Sequence, residues 1–225
     1  MDRRLMLAAI AAVPVAGAAY YFSRGSGAGT TSLPAAALAQ GTDASSIDTS
    51  AVTEMVLGDA NAPVEVVEYA SFTCPHCQRF HEGTFKDLKA EYIDTGKVRF
   101  IYREVYFDRF GLWAGMLARC GGEDRYFAMV DLIYQTQGQW TQGNSEAAIA
   151  DNLRRLGLTA GLDAEQIDAC MSDADMAQAL VAVYQENASR DGVDSTPSFM
   201  IDGEKYSNMS LDRFKDVIDA ALGDA

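Results

Sequence analysis

Runs of apolar and polar residues predict alternating strands and helices in the first folded part of the chain. Residues 63–69 are β-branched and apolar, which is typical of a buried strand. Residues 75–92 carry apolar side chains at helical spacing, and residues 97–102 form a second strand-like run. One helix between two strands makes a βαβ unit, so we expect the two strands to pair in parallel.

The pattern changes between about residues 107 and 190, where no strand-like run interrupts a series of helical segments. Asp163 and Gln166 have the spacing of a capping box at the start of one segment. We interpret this block as an inserted helical subdomain. Its predicted helices lie near residues 109–119, 123–136, 145–156, 164–171 and 174–189.

The chain returns to strand-like residues after this block. Residues 194–201 predict a short strand, residues 202–204 a hairpin turn, and residues 205–206 the start of a return strand. Ser210 can cap a final helix whose apolar residues share one face. These elements predict an α/β fold with the helical subdomain inserted into it.

The N-terminus has the pattern of an export segment. Arg3 and Arg4 precede the uncharged residues 5–22, as in a secretory signal, and the paired arginines also allow a twin-arginine route. The apolar run reaches the lower length limit for spanning a bilayer, so an uncleaved membrane anchor is the alternative. We predict a signal peptide or anchor at residues 1–24 and a flexible linker at residues 25–50.

Composition limits the classes of function open to the remaining residues 51–225. The chain has 32 acidic and 18 basic residues and a net charge of −14, which argues against nucleic acid as a partner because phosphates need cations. Its four cysteines are Cys74, Cys77, Cys120 and Cys170. An exported protein meets an oxidising compartment, where an even number of cysteines fits one catalytic and one structural pair.

The sequence Cys74-Pro75-His76-Cys77 places two thiols at the junction of the first strand and its helix. With Cys74 at the N-cap, Pro75 occupies the first helical position, where its missing N–H costs nothing. The free N–H groups of His76 and Cys77, the helix dipole and a charged imidazole would all favour a thiolate at Cys74. We therefore expect a lowered pKa at Cys74 and a disulfide that is readily donated to other thiols.

Three other interpretations compete with disulfide exchange. A purely structural disulfide is one, although so short a loop stabilises little. A zinc site would use Cys74, Cys77 and His81, but the sequence offers no second Cys/His pair to complete four ligands. Covalent haem attachment requires a histidine directly after the second cysteine, where the chain has Gln78. We expect neither a metal nor a cofactor.

Residues 68–77, Glu-Tyr-Ala-Ser-Phe-Thr-Cys-Pro-His-Cys, resemble the active-site segment of DsbA-type thiol:disulfide oxidoreductases of the thioredoxin superfamily. Thr196-Pro197 is similar to the cis-proline segment of that superfamily and follows the helical insertion, as in DsbA. The resemblance extends over about residues 56–222. It implies a thioredoxin-like fold with an inserted α-helical subdomain.

The resemblance also implies roles for individual residues. Cys74 resembles the exposed nucleophile that forms a mixed disulfide, and Cys77 resembles the buried resolving thiol. His76 resembles the residue that tunes the redox potential, and Pro197 the cis-proline that faces the disulfide. Glu68 resembles a buried acid that accepts protons during exchange; a strand residue that faces solvent is the alternative.

This chain differs from many DsbA enzymes at Thr196 and carries a second cysteine pair. Thr196 stands where many DsbA enzymes have valine, and its polar side chain would soften the oxidising power or alter substrate release. The Thr196 backbone would bind an extended substrate like an added β-strand.

Some family members carry a second disulfide in the helical block, where Cys120 and Cys170 lie. Closing that loop of about 51 residues would stabilise the fold by roughly 4 kcal/mol; two buried free thiols are the alternative.

Other side chains near the motif each allow two interpretations. His81 is either a proton shuttle or a helix-face residue beside the site. A set of aromatic residues either lines an apolar groove for unfolded substrates or belongs to the core. The set consists of Tyr106, Phe107, Phe110, Trp113 and Trp140.

The sequence therefore predicts a periplasmic thiol:disulfide oxidoreductase that donates a Cys74–Cys77 disulfide to exported proteins through a mixed disulfide. Its partners would be reduced or unfolded exported proteins and a membrane DsbB-like reoxidase, and we expect a monomer. A disulfide reductase or isomerase that uses the same site is the alternative. A non-enzymatic chaperone that holds a peptide or a metal is a third hypothesis.

Overall fold

The computed structural model describes residues 47–224. The signal peptide or anchor predicted at residues 1–24 lies outside these residues, as does nearly all of the linker predicted at residues 25–50. Within the described part of the chain, no helix combines the length and the apolar character needed to cross a membrane.

A five-stranded mixed sheet forms the centre of the fold, in the order β1-β3-β2-β4-β5. β2 and β3 pair in parallel, which confirms the predicted βαβ unit, and β4 runs antiparallel to β2. β2 is therefore paired along both edges, and its residues are buried apart from Glu65. The strands are β1 Met55–Leu57, β2 Val64–Ala70, β3 Val98–Glu104, β4 Ser198–Ile201 and β5 Glu204–Ser207.

β1 is a three-residue strand that the sequence analysis did not predict. It runs antiparallel along β3, with Val56 opposite Ile101. Three residues are too few to show the alternation of apolar and polar positions that identifies a strand. The strand forms because β3 offers a free edge for it.

The predicted hairpin and final helix are confirmed. Asp202 and Gly203 have positive φ angles of 47° and 81°, the conformation that a tight two-residue hairpin turn requires. The last helix, α9, spans Leu211–Asp224. The Ser210 hydroxyl accepts the Arg213 N–H at 3.3 Å, as expected for a cap.

The prediction of one helix over residues 75–92 is wrong in its continuity. The structure has two α-helices, α1 Pro75–Glu82 and α2 Thr84–Leu88, followed by a π-helical turn at Lys89–Ile93. The break lies at Gly83, whose φ of −123° and ψ of −95° are not helical.

Six helices lie between β3 and β4, and no strand interrupts them among the described residues. Five match the predicted segments, and the short α5 was not predicted. They are α3 Arg109–Arg119, α4 Glu123–Gln135, α5 Gln137–Trp140, α6 Glu146–Thr159, α7 Ala164–Met171 and α8 Ala174–Arg190. The predicted fold class, a thioredoxin-like α/β fold with an inserted helical subdomain, is confirmed.

The predicted capping box forms in part. The Asp163 side chain accepts the Gln166 N–H at 2.7 Å and so caps α7. The Gln166 side chain donates instead to the Cys120 carbonyl at 2.7 Å. The residue therefore links the start of α7 to the end of α3.

One hydrophobic core extends from the sheet into the helical insertion. Phe80 on α1, Phe199 on β4 and Phe214 on α9 meet with ring centroids 4.7–5.6 Å apart. A smaller cluster, which includes Val67 and Ile101, covers the other face of the sheet. Because the insertion shares the main core, its packing is coupled to that of the sheet.

A disulfide joins Cys120, at the end of α3, to Cys170 in α7. The two cysteines are 50 positions apart in the sequence. The bond closes a loop around α4, α5 and α6 and so ties three helices of the insertion to the rest of it.

Removing this disulfide should lower the free energy of unfolding. In a background of Cys74→Ser and Cys77→Ser, adding Cys120→Ala and Cys170→Ala should cost about 4 kcal/mol, because the unfolded chain regains the freedom of a long loop. Urea unfolding of the two proteins measures the difference. A change of less than about 1 kcal/mol would contradict the chain-entropy account.

Candidate active site

The two cysteines of the Cys-Pro-His-Cys motif lie where the central strand meets the first helix. β2 ends at Ala70, and residues 71–74, here called the active-site loop, lead into α1. Cys74 is the N-cap residue, with extended backbone angles of φ −81° and ψ 119°, and Pro75 opens the helix. Both thiols are free, so the structure represents the reduced protein.

The surroundings of Cys74 lower its pKa to about 5. The largest cause is a hydrogen bond from the Cys77 thiol, followed among the lowering causes by the Thr196 hydroxyl and the backbone N–H groups of Cys77 and His76; partial burial opposes them. No helix N–H makes a side-chain cap bond of ordinary geometry to the sulfur, so the amides act as nearby dipoles. The sequence indicated these dipoles, but it did not indicate the Cys77 thiol as the main cause.

Cys77 has the opposite character. Its side chain is buried, with 0% exposure, and burial is the main cause that raises its pKa. The hydrogen bond to Cys74 and the nearby negative charge of Glu68 raise the pKa further. The pair is therefore asymmetric, with one thiol that ionises readily and one that stays protonated.

The Thr196–Pro197 peptide bond is cis and lies against Cys74. β4 begins at the next residue, and Ser198 pairs with Tyr69 near the end of β2, which brings this segment to the cysteines. The Thr196 carbonyl is 3.5 Å from the Cys74 sulfur and accepts from its protonated thiol. The Thr196 side chain instead lowers the Cys74 pKa and favours the thiolate. This direction is opposite to the softened oxidising power expected from its polarity, because a stabilised thiolate favours the reduced form.

Arg79 modifies the expected role of His76. The guanidinium Nη2 of Arg79 lies 2.9 Å from Nδ1 of His76, one helical turn away. Because a guanidinium can only donate, Nδ1 must be the acceptor. The positive charge beside the motif then resides on Arg79, and the histidine contributes as a neutral ring in this arrangement.

Glu68 and His81 form a buried pair beneath the motif. Their side chains are 0% and 1% exposed, and Glu68 Oε2 lies 2.8 Å from His81 Nε2. The alternative that Glu68 faces solvent is therefore wrong. Glu68 Oε1 and His81 Nδ1 have no hydrogen-bond partner among the described residues.

The helical insertion holds the active-site loop through residues that the sequence analysis missed. Gln137 on α5 is buried, and its Nε2 donates to the Phe72 carbonyl at 2.8 Å and to the Cys74 carbonyl at 3.1 Å. The Tyr134 hydroxyl on α4 donates to the Ser71 carbonyl at 3.2 Å. A polar run around Gln137 resembles an ordinary loop, so no local signal identified it.

Asp108 connects the same loop to the start of α3. One carboxylate oxygen accepts the N–H groups of Phe110 and Gly111, each at 2.9 Å, and so caps the helix. The other accepts the hydroxyl of Thr73 at 2.6 Å. An aspartate before a helical segment is a recognisable cap signal, but its second contact depends on the tertiary fold.

The five aromatic residues considered for a substrate groove do not share one environment. Tyr106, Trp113 and Trp140 are buried in the core, and Phe110 is partly buried. Phe107 is 57% exposed. The core interpretation therefore holds for most of the set, and Phe107 is the member that faces solvent.

The described residues contain no group of three or more His, Cys, Asp or Glu side chains placed to hold a metal ion. His81, the third ligand considered for zinc, is paired with Glu68.

The fold and the asymmetric cysteine pair define a thioredoxin-like protein with a thiol–disulfide site. The family model described as thioredoxin matches residues 50–220, which is most of the chain. The chain therefore belongs to the thioredoxin family.

Similar proteins carry related names. A Rickettsia prowazekii protein whose name proposes a protein-disulfide oxidoreductase is 34% identical over 172 residues, which cover 76% of this chain and 62% of that protein. The chain thus spans less than two thirds of this relative. The crystal structure of Wolbachia pipientis alpha-DsbA1 matches with a TM-score of 0.71 and 29% identity, over 76% of this chain and 92% of that one. Oxidised BdbD from Bacillus subtilis shares the fold, with a TM-score of 0.65 and 21% identity over 76% of this chain and 93% of that one.

The ionisation of Cys74 should make the stability of the reduced protein depend on pH. Its folded-state pKa of about 5 lies below the unfolded value of about 8.5. The thiolate therefore stabilises the reduced fold fully above that unfolded value, and the contribution is lost as pH falls through about 5. Thiolate absorbance in the ultraviolet gives the pKa, and unfolding of Cys74→Ser across the same pH range is the control. A transition near the ordinary thiol value would contradict the assignment.

Gln137→Leu should weaken the active-site loop. It leaves the Phe72 carbonyl without this donor, at a cost of about 1–3 kcal/mol in the free energy of unfolding. We also expect a higher Cys74 pKa, since the N-cap backbone is less firmly held. Gln139→Leu, an exposed position on the same helix, is the matched control. Equal stability and equal Cys74 pKa in both variants would show that Gln137 does not hold the loop.

Proposed function

We propose that this protein is a thiol:disulfide oxidoreductase that donates a Cys74–Cys77 disulfide to exported proteins. The observation that carries the proposal is the asymmetry of the two thiols. A pKa of about 5 at Cys74 stabilises its thiolate and hence the reduced protein. A disulfide whose reduced form is stabilised is readily given to another thiol pair.

The proposed reaction has two steps. A substrate thiolate attacks the Cys74 sulfur, the Cys74–Cys77 bond breaks, and its electron pair leaves on the Cys77 sulfur, which takes up a proton. A second substrate thiolate then attacks the substrate sulfur of the mixed disulfide and releases Cys74 as a thiolate. The substrate loses two electrons and the enzyme gains two.

The remaining residues of the site receive roles within this proposal. Cys74 is the nucleophile and Cys77 the resolving thiol, while Pro197 and the Thr196 backbone face the bound substrate. His76, with Arg79, tunes the potential of the pair. Glu68 is the proton-exchanging acid. Cys120 and Cys170 form a structural disulfide outside the exchange reaction.

Export, location and partners also belong to the proposal. The basic and apolar N-terminal segment supports secretion to the periplasm, with an inner-membrane anchor as its variant. A monomer would act on reduced exported proteins, and a membrane DsbB-like protein would reoxidise it. A Bacillus subtilis relative named disulfide bond formation protein D, 40% identical over 68 residues, supports a role in disulfide formation.

The roles of the two cysteines can be separated by substitution. Cys74→Ser should abolish oxidation of a reduced, unfolded protein, whereas Cys77→Ser should accumulate a mixed disulfide with that protein, detectable on a non-reducing gel. The Cys120→Ala, Cys170→Ala protein is the control and should remain active. Full activity of Cys74→Ser would exclude thiol exchange.

The redox potential of the Cys74–Cys77 pair tests the direction of the reaction. Equilibration with glutathione buffers should give a value well above that of thioredoxin, about −270 mV. A value near thioredoxin's would favour the alternative of a reductase or isomerase at the same site.

A further inference from the structure

The resolving cysteine needs a proton at the moment the disulfide opens. The Cys77 sulfur is buried, and burial raises its pKa. A departing thiolate is therefore strongly disfavoured at this position. An acid close to Cys77 would remove that cost by protonating the sulfur as the bond breaks.

Few groups among the described residues can supply this proton. The titratable groups that influence Cys77 or lie against the buried pair are Cys74 at the N-cap of α1, Glu68 on β2, Tyr102 on β3 and Tyr134 on α4. Burial raises the pKa of both tyrosines well above their ordinary value, and Cys74 is the sulfur under attack. Glu68 remains, together with its partner His81.

The surroundings of His81 suit a ring that carries positive charge. Its Nε2 is 2.8 Å from the Glu68 carboxylate. The Tyr134 ring stacks on it at 4.5 Å and 19°, and the rings of Phe85 and Tyr102 lie 4.6 and 5.6 Å away. A carboxylate together with several aromatic rings favours a cation in a buried site.

We propose that His81 is a positioning residue for disulfide exchange, which holds the Glu68 carboxylate in a proton-carrying pair that protonates Cys77 as it leaves the disulfide. This inference rests on the proposed function of the site. In the step, the two electrons of the Cys74–Cys77 bond move to the Cys77 sulfur, and one proton passes to that sulfur from the Glu68–His81 pair. The Glu68–His81 pair is left with one more negative charge and regains its proton from solvent.

The neighbouring charges are consistent with a self-contained pair. On β4, the strand paired with β2, the residue opposite Glu68 is the apolar Phe199. Glu104, the other buried acid, is neutralised by the partly buried Arg119 in a bidentate contact at 2.7–2.8 Å. Arg79 and His76 lie on the exposed part of α1. No other buried charge competes for Glu68 among the described residues.

The rate at which a small dithiol opens the Cys74–Cys77 disulfide tests the proposal. His81→Gln keeps an N–H donor for Glu68 but carries no transferable proton, and His81→Phe removes both. After correction for the ionisation of the dithiol, both variants should open about a hundredfold more slowly than the natural protein. The deficit should grow with pH, because solvent acids become scarcer. Glu68→Gln should show the same profile, and Glu82→Gln, which removes an exposed carboxylate, should not.

A double variant tests whether Glu68 and His81 act as one unit. Glu68→Gln with His81→Gln should be no slower than either single variant, since residues that act as a unit are not additive. If His81→Phe does not fold, His81→Gln alone decides. The proposal would be overturned if His81→Gln had the same pH–rate profile as the natural protein. It would also be overturned if the variant were slower by the same factor at every pH.

Nuclear magnetic resonance of the ring nitrogens gives an independent readout. The protein has two histidines, and His76→Asn assigns their signals. The proton occupancy of His81 should differ between the oxidised and the reduced protein; identical titration in both would contradict its role. The dithiol assay needs no protein substrate, so it tests the proposal on His81 separately from the proposed function. If the variants slow opening by the dithiol as expected but the natural protein does not oxidise unfolded proteins, only the proposed function is contradicted.

Discussion

The site depends on how firmly the backbone of residues 71–74 is held between the central strand and α1. β2 is paired on both edges and delivers the loop to a fixed place. Gln137, Tyr134 and Asp108 then bind the loop from the side of the helical insertion. A loop held on both sides keeps Cys74 at the N-cap, where the Cys77 thiol is the main cause that lowers its pKa and the helix amides add to the effect.

The two cysteines differ because they lie at different depths along one helical turn. Cys74 faces the Thr196 segment and is half-buried, whereas Cys77 points into the core. The same burial that keeps Cys77 protonated makes its thiol a hydrogen-bond donor to the Cys74 sulfur. The asymmetry is thus one property of the pair, and it links the packing of the core to the direction of electron flow.

The helical insertion contributes side chains to the active site. Its aromatic residues share the core with the sheet, and Tyr134 stacks on His81 beneath the cysteines. The Cys120–Cys170 disulfide closes the insertion without touching the exchange pair. Changes in the packing of α4 and α5 are therefore transmitted to the loop through a small number of hydrogen bonds.

Local patterns in the sequence are sufficient to indicate several parts of the fold and the site. The sequence indicated the βαβ unit, the five longer helices of the insertion, the hairpin and the N-cap position of Cys74, because periodicity, caps and turn residues act over a few positions. It also indicated Glu68 and Thr196-Pro197, through a resemblance. The strand β1, the Gln137 contacts and the His81–Glu68 pair follow only from the tertiary structure. Each of these depends on residues distant in sequence, whose approach is fixed only when the sheet and the insertion share one core.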